Sequence, residues 1–174
     1  MKSFLKPGMS AANGGSMTME ALGIMQYMRE NPDIVYIDRD QASTDAERKE
    51  IQRKSFTADA YFMSTNALTL DGELINVDGS GNRVAALIYG PDKVILAASM
   101  NKVESTREAA LDRVRNIASP PNCVRLNRNT PCAKTGRCGD CLGNVSICSQ
   151  ILITRRSMDP ERIHVVLIGE ELGF

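Results

Sequence analysis

Short apolar runs of strand character alternate with longer stretches of helical periodicity along most of this chain, and that alternation restricts it to a layered α/β fold. Met9 to Asn13 reads as a strand running into Gly14-Gly15-Ser16-Met17-Thr18, after which Ala21, Leu22, Met25 and Met28 share one helical face. Ile34 to Ile37 is a second strand. Thr44-Asp45-Ala46-Glu47 has the spacing of a capping box and opens a charged surface helix to about Lys54. Ala60 to Ser64, Glu73 to Val77 and Val94 to Ala98 are further strands, the last the clearest buried one. A polar turn at Thr65-Asn66 follows the first of these, and a helix over Arg83 to Tyr89 closes at Gly90-Pro91. Ser105 to Glu108 reads as a second capping box, opening a helix through Leu111, Val114 and Ile117 that should stop before Pro120-Pro121. Ile151 to Thr154 and Ile163 to Ile168 are closing strands.

Two polar segments interrupt this pattern where a ligand would fit. Gly14 to Thr18 puts two glycines and two hydroxyls where a strand meets a helix, so that Gly14, Gly15, Ser16 and Thr18 either cradle an anion or merely cap the helix. Glu20, in the first turn, would repel an anion, which assigns the countercharge to residues such as Arg83 and Lys102. Asp71 to Arg83 is dense in carboxylates, glycines and amides: Glu73 and Asp78 supply an acid and a base, Asn82 and Arg83 donors for a carboxylate or phosphate. As catalytic residues Glu73 and Asp78 are therefore the candidates, and as ligand-binding residues Gly14, Gly15, Ser16, Thr18, Asn66, Asn82, Arg83 and Lys102.

Periodicity is lost from Pro120 to Gln150, and all five cysteines lie there, four of them in the short segment from Cys132 to Cys148. Cys132, Cys138, Cys141 and Cys148 follow a C-x5-C-x2-C-x6-C pattern. Four thiolates can hold zinc or an iron–sulfur cluster, replacing the missing apolar core by metal–ligand bonds, or remain reduced or transiently paired thiols. Arg125, Arg128, Lys134 and Arg137 would lower the thiol pKa values. Cys123 reads as a structural thiol. His164, the only histidine, sits in the alternation of the last strand without ligand neighbours in sequence and reads as a satisfied strand residue.

The length suits a single domain over residues 1–174. The 21 basic and 21 acidic residues cancel, which leaves no global field to favour nucleic acid or an anionic membrane. No apolar run approaches the roughly 20 residues of a membrane span, and the start lacks a secretory signal, so the expected location is the cytoplasm.

The order and wording of these segments resemble the LUD domain family of lactate-utilization proteins, itself similar to the fold of ribose-5-phosphate isomerases, glucosamine-6-phosphate deaminases and CoA transferases. The resemblance rests on Gly14 to Thr18, Thr65-Asn66-Ala67, Asp71 to Gly79, Gly81 to Ala86, Gly90-Pro91, Asn101-Lys102, Thr130 to Cys141 and Glu170 to Phe174. It implies a layered, mostly parallel sheet flanked by helices, with the two polar loops meeting at the strand ends and a Cys-rich loop over residues 120–150. It further implies a link to oxidation of lactate or a related hydroxy acid beside iron–sulfur partners. Relatives carry a helical segment before the first strand where this chain has Met1 to Pro7, so either a second subunit covers the sheet face thereby opened or the chain is less stable than its relatives.

Three functions follow as expectations. The first is a component of hydroxy-acid utilization binding a small anionic ligand at the two loops. The second is a non-enzymatic, metal-binding interaction subunit for an iron–sulfur oxidoreductase, and the third a stand-alone isomerase or CoA-transferase-like enzyme with Glu73 as base or nucleophile.

Overall fold

The computed structural model describes residues 1–174 and has two sheets. Strands β1 (Ser10–Asn13), β2 (Val35–Ile37), β3 (Ala60–Ser64), β6 (Lys93–Ser99) and β9 (Ile163–Ile168) form a five-stranded sheet in the order β2-β1-β3-β6-β9. Every neighbouring pair in it is parallel. Strands β4 (Ala67–Thr69), β5 (Leu74–Asp78), β7 (Val103–Glu104) and β8 (Gln150–Thr154) form a smaller mixed sheet in the order β7-β4-β5-β8. The mostly parallel α/β architecture expected from the sequence is what the chain adopts; the second sheet is additional to it.

Burial on both faces explains why the central strands read as continuous apolar runs. All five residues of β3 are buried, as are the six that follow Lys93 in β6. One face of the large sheet carries Ala11, Phe62, Ile95 and Ala97, covered by Met19, Ile24 and Met28 of α1 (Met17–Ala21) and α2 (Ile24–Glu30). The opposite face carries Ala12, Tyr61, Met63 and Leu96, against Ala86 and Leu87 of α4 (Asn82–Ile88) and Leu68 and Leu74 of the small sheet. The far side of the small sheet, through Ala67 and Ile75, packs on Ala110 and Val114 of the helical segment from α5 (Arg107–Arg113) onward.

The helices depart from the sequence expectations in three places. The single helix expected after Gly15 is two, because Gly23 adopts a left-handed φ of +63° between α1 and α2. Helix α5 is capped by Thr106, whose oxygen accepts from Ala109 N, so the cap lies one residue beyond Ser105 and lacks a glutamate partner. The helical path does not stop before Pro120-Pro121. A π-helical turn over Val114–Ala118 passes the chain into α6 (Ser119–Arg125), where both prolines occupy the first turn, the part of a helix that tolerates proline.

Helix α3 (Asp45–Lys54) carries the expected capping box, with Glu47 N donating to Thr44 Oγ1 at 3.1 Å and Thr44 N to Glu47 Oε2 at 3.2 Å. None of its residues is buried, so the helix depends on its ends more than on packing. Thr44→Ala is expected to cost about 1 kcal/mol in urea unfolding, and Thr44→Ser to restore most of it. Equal stability of the alanine variant and the wild type would show that the cap contributes nothing.

Candidate functional site

In the large sheet β1 connects to β2 on one side and is flanked by β3 on the other, so the strand order reverses beside the carboxyl end of β1, where open α/β sheets bind ligands. A cavity of about 310 Å³ lies there. It is lined by Gly15 to Thr18 after β1, Ser64 to Asn66 at the end of β3, Val77 to Ser80 at the end of β5, Lys102, and the α6 end of the long helical segment. The two polar loops singled out in the sequence therefore meet, and Asn82 and Arg83 line the same space.

Lys102 closes the floor. It is 3% exposed, and its ammonium donates to Thr18 Oγ1 at 2.8 Å and Ser64 Oγ at 3.1 Å, with the Thr65 carbonyl at 3.5 Å. No carboxylate pairs with it. Burial, reinforced by Arg113 and Arg83, pushes its pKa down to about 8. Arg113, itself buried, donates to the carbonyls of Asn101 at 2.9 Å and Asn66 at 2.8 Å and so fixes the turn that carries Lys102. The Leu172 carbonyl accepts from Thr18 Oγ1 and Ser99 Oγ, both at 2.9 Å. Gly173 follows with φ of +68°, where a Cβ would lie 2.6 Å from Thr18 Oγ1.

Five cationic side chains line the cavity, Arg39, Arg83, Lys102, Arg125 and Arg128, against one acidic side chain, Asp78. Arg39 is the lining cation with a buried donor left unpartnered, its Nε, and its ion pair with Asp40 is long at 3.9 Å. Asp38 places it: this carboxylate receives Arg29 at 2.7 Å and caps the short turn Arg39–Gln41 by accepting from Asp40 N at 3.0 Å. The Arg39 guanidinium then lies directly over Gly15, where a Cβ would be 2.7 Å from Nη2. Gly14 is also closely approached, a Cβ there meeting Arg83 Cδ at 3.0 Å and the Tyr61 hydroxyl at 3.2 Å.

Arg83 was expected to hold the ligand, yet its guanidinium is bound to the protein. Nη1 donates to Asn76 Oδ1 at 2.6 Å and the Ser64 carbonyl at 3.1 Å; Nη2 donates to the Val77 carbonyl at 2.7 Å and Asn66 Oδ1 at 3.0 Å. Its Nε faces Asp78 Oδ2 at 3.7 Å. Asp78 Oδ1 in turn accepts from Ser80 N at 3.0 Å and Gly81 N at 2.8 Å, fixing the loop. This network ties β3, β5 and the start of α4 together beneath the cavity. Asn66 serves the same network, also accepting from Val77 N at 2.9 Å.

A family model described as the LUD domain matches residues 1–168. The chain belongs to the LUD domain family. That family is associated with lactate utilization. Among solved structures, a DUF162 family protein from Deinococcus radiodurans is similar at 14% identity and a TM-score of 0.41, over 93% of this chain and 88% of that one. The delta subunit of eIF2B from Chaetomium thermophilum is similar at 15% identity and a TM-score of 0.38, over 64% of this chain and 50% of that one. A search of curated proteins gave no match. No helix of this LUD domain is long and apolar enough to cross a membrane.

Other residues singled out in the LUD sequence lie away from the cavity. Glu73 does not line it: Arg107 Nε donates to its Oε2 at 2.8 Å and Arg155 lies 3.5 Å from Oε1. The hydrogen bond from Arg107 lowers the Glu73 pKa, the opposite of the rise toward neutrality that a buried general base would need. His164 takes its expected structural place, with Nε2 2.8 Å from the Glu161 carbonyl and its ring tilted at 48° against that of Phe4, centroids 4.9 Å apart. In the Cys-rich segment the chain forms a short helix α7 (Pro131–Thr135), where Cys132 is buried with its Sγ 3.6 Å from that of Cys123. Cys148 Sγ lies 3.6 Å from Ser119 Oγ. No three Cys, His, Asp or Glu side chains are gathered as a metal-ligand set, while Cys132, Cys138 and Cys141 lie near enough to Cys148 to act on its thiol. Nor do nearby arginines lower Cys148; burial raises its pKa, and pushes Cys123 up to about 11.

Proposed function

We propose that this LUD domain binds a small organic anion, such as the carboxylate of lactate or a related hydroxy acid, in the cavity between Gly14–Thr18 and Asp78–Arg83. The observation that carries this reading is the cation-rich lining with Arg39 Nε buried and unpartnered, because a buried donor without an acceptor costs about 1–3 kcal/mol. A ligand carboxylate would supply that acceptor, and the planar fork of arginine suits it. Lys102 adds a second positive charge that no protein carboxylate neutralises. Ser16, Thr18 and Asn82 offer polar groups for the remainder of the ligand. The roles expected of Arg83, Asn66 and Asp78 shift from touching the ligand to holding the loops that do. Glu73 has no part in this chemistry.

Thermal unfolding with lactate, glycolate, pyruvate and inorganic phosphate tests the reading, since a ligand bound only by the folded state raises the midpoint. At least one carboxylate should do so, and Arg39→Met should abolish the shift. Gly15→Val should abolish it too while leaving the fold intact. The added side chain meets the far end of Arg39, which can swing away, rather than backbone. A wild-type midpoint unmoved by all four anions would reject an anion site, and an undiminished shift in Gly15→Val would remove Arg39 and this glycine from it.

A further inference from the structure

We infer that Lys102 is a covalent residue, whose amine condenses with the carbonyl carbon of a 2-oxo acid bound in the cavity to form an imine. The inference rests on the anion-binding reading above and goes beyond it by assigning a carbonyl substrate class and a bond-forming atom. It begins from how the amine is held. Lys102 lines the cavity yet is almost wholly buried, and its polar neighbours are the hydroxyls of Thr18 and Ser64 and one carbonyl. The proton of each hydroxyl is already committed elsewhere, Thr18 Oγ1 donating to the Leu172 carbonyl at 2.9 Å and Ser64 Oγ to the Thr65 carbonyl at 3.2 Å. Both oxygens therefore face Lys102 as acceptors. With the Thr65 carbonyl at 3.5 Å these make three acceptors, as many as an ammonium has N–H groups; a neutral amine satisfies the two nearer ones with its two N–H groups, and no protein donor engages its lone pair.

The charged environment works in the same direction. The cationic groups acting on Lys102 are Arg113, on the helix behind it, and Arg83, on the helix beneath the cavity; no acidic side chain is within ion-pair distance. Burial among cations favours the uncharged, nucleophilic amine, the condition under which lysines form imines with carbonyl substrates. The same positive lining that disfavours the ammonium attracts the carboxylate of a 2-oxo acid, which places a carbonyl next to its anionic anchor.

The step balances without an oxidant or reductant. The Nζ lone pair forms a bond to the carbonyl carbon, and the π electrons move to oxygen, which takes up a proton. The nitrogen loses one proton to give a neutral carbinolamine. Protonation of the hydroxyl lets it leave as water while the nitrogen lone pair closes the C=N bond. The sum is one amine, one carbonyl and one proton in, one iminium and one water out.

Borohydride tests this on the intact chain. Hydride adds to the iminium carbon and fixes the adduct as a secondary amine, so wild-type protein incubated with pyruvate and then borohydride should gain the mass of one reduced pyruvyl group. Peptide mapping should place it on Lys102 at a yield at least tenfold above the exposed Lys49 or Lys54. Excess lactate should suppress it, and Lys102→Arg should show no adduct. The mapped wild-type adduct is decisive even if that variant folds poorly. Modification spread evenly over surface lysines overturns the inference. So does absence of an adduct when pyruvate still raises the unfolding midpoint, a result that leaves the anion site standing. Absence of both the adduct and any stabilisation by the four anions overturns the anion site as well.

Discussion

Arg83→Met is expected to lower the stability of the domain by about 3–5 kcal/mol, the range found when one partner of a buried charged network is removed. The substitution strands four acceptors at once, the Ser64 and Val77 carbonyls and the Oδ1 atoms of Asn66 and Asn76, and leaves Asp78 without its cation. Asn76 is 0% exposed, so water cannot replace the lost donor. Arg83→Lys should also destabilise, though less, because a single ammonium cannot reach acceptors arranged around a planar fork. Urea unfolding measures both. The pattern that would return Arg83 to the ligand is the reverse one: near wild-type stability in Arg83→Lys with loss of the anion-induced rise in midpoint.

That contrast marks how far the site could be read from the residues alone. Gly14 to Thr18, Asp78 to Arg83 and Lys102 were recognisable because glycine, hydroxyl and charged residues interrupt apolar runs whose strand character is local. What local pattern could not convey is which guanidinium is saturated by its own protein. Arg83 stands in a polar loop and reads as a ligand donor, yet the second sheet brings Asn66, Asn76 and Val77 around it. Arg39 stands in Asp38-Arg39-Asp40, which reads as a solvated turn. It becomes a cavity residue only because the parallel pairing of β1 with β2 sets that turn above Gly15. Arg125 and Arg128 were associated with the cysteines, their neighbours in sequence. They reach the cavity because the helix passes through Pro120-Pro121 rather than ending there. Two strands of the small sheet, β4 and β7, escape the sequence for a related reason, although β5 and β8 are legible in it. Strands of two or three residues, such as β7 and β4, are too short to show alternation, and they form because the chain crossing between the layers supplies partners.

Lys102→Met should make the pH dependence of stability change sign-consistently with a buried amine. In the folded protein the amine titrates at about 8, below its ordinary value of 10.5, chiefly because burial penalises the charged form. Between those two pH values the unfolded chain binds more protons than the folded one, so wild-type stability must rise with pH across that window. Below about pH 8 the amine is charged in both states and the cost of burying the ammonium is fully present; above about pH 10.5 it is neutral in both and the cost is gone. A depression of this size corresponds to roughly 3 kcal/mol. The stability difference between Lys102→Met and wild type should therefore shift by about that amount in favour of wild type when urea unfolding at pH 7 is compared with unfolding near pH 11. Anion binding should follow the opposite course. A bound carboxylate offsets the cost of the buried ammonium, so the ligand-induced rise in midpoint should be largest below pH 8 and shrink as the amine loses its proton. If the difference between variant and wild type stays constant with pH, Lys102 titrates alike in the folded and unfolded chains, and the cavity is then a cationic anchor with no neutral amine available at physiological pH.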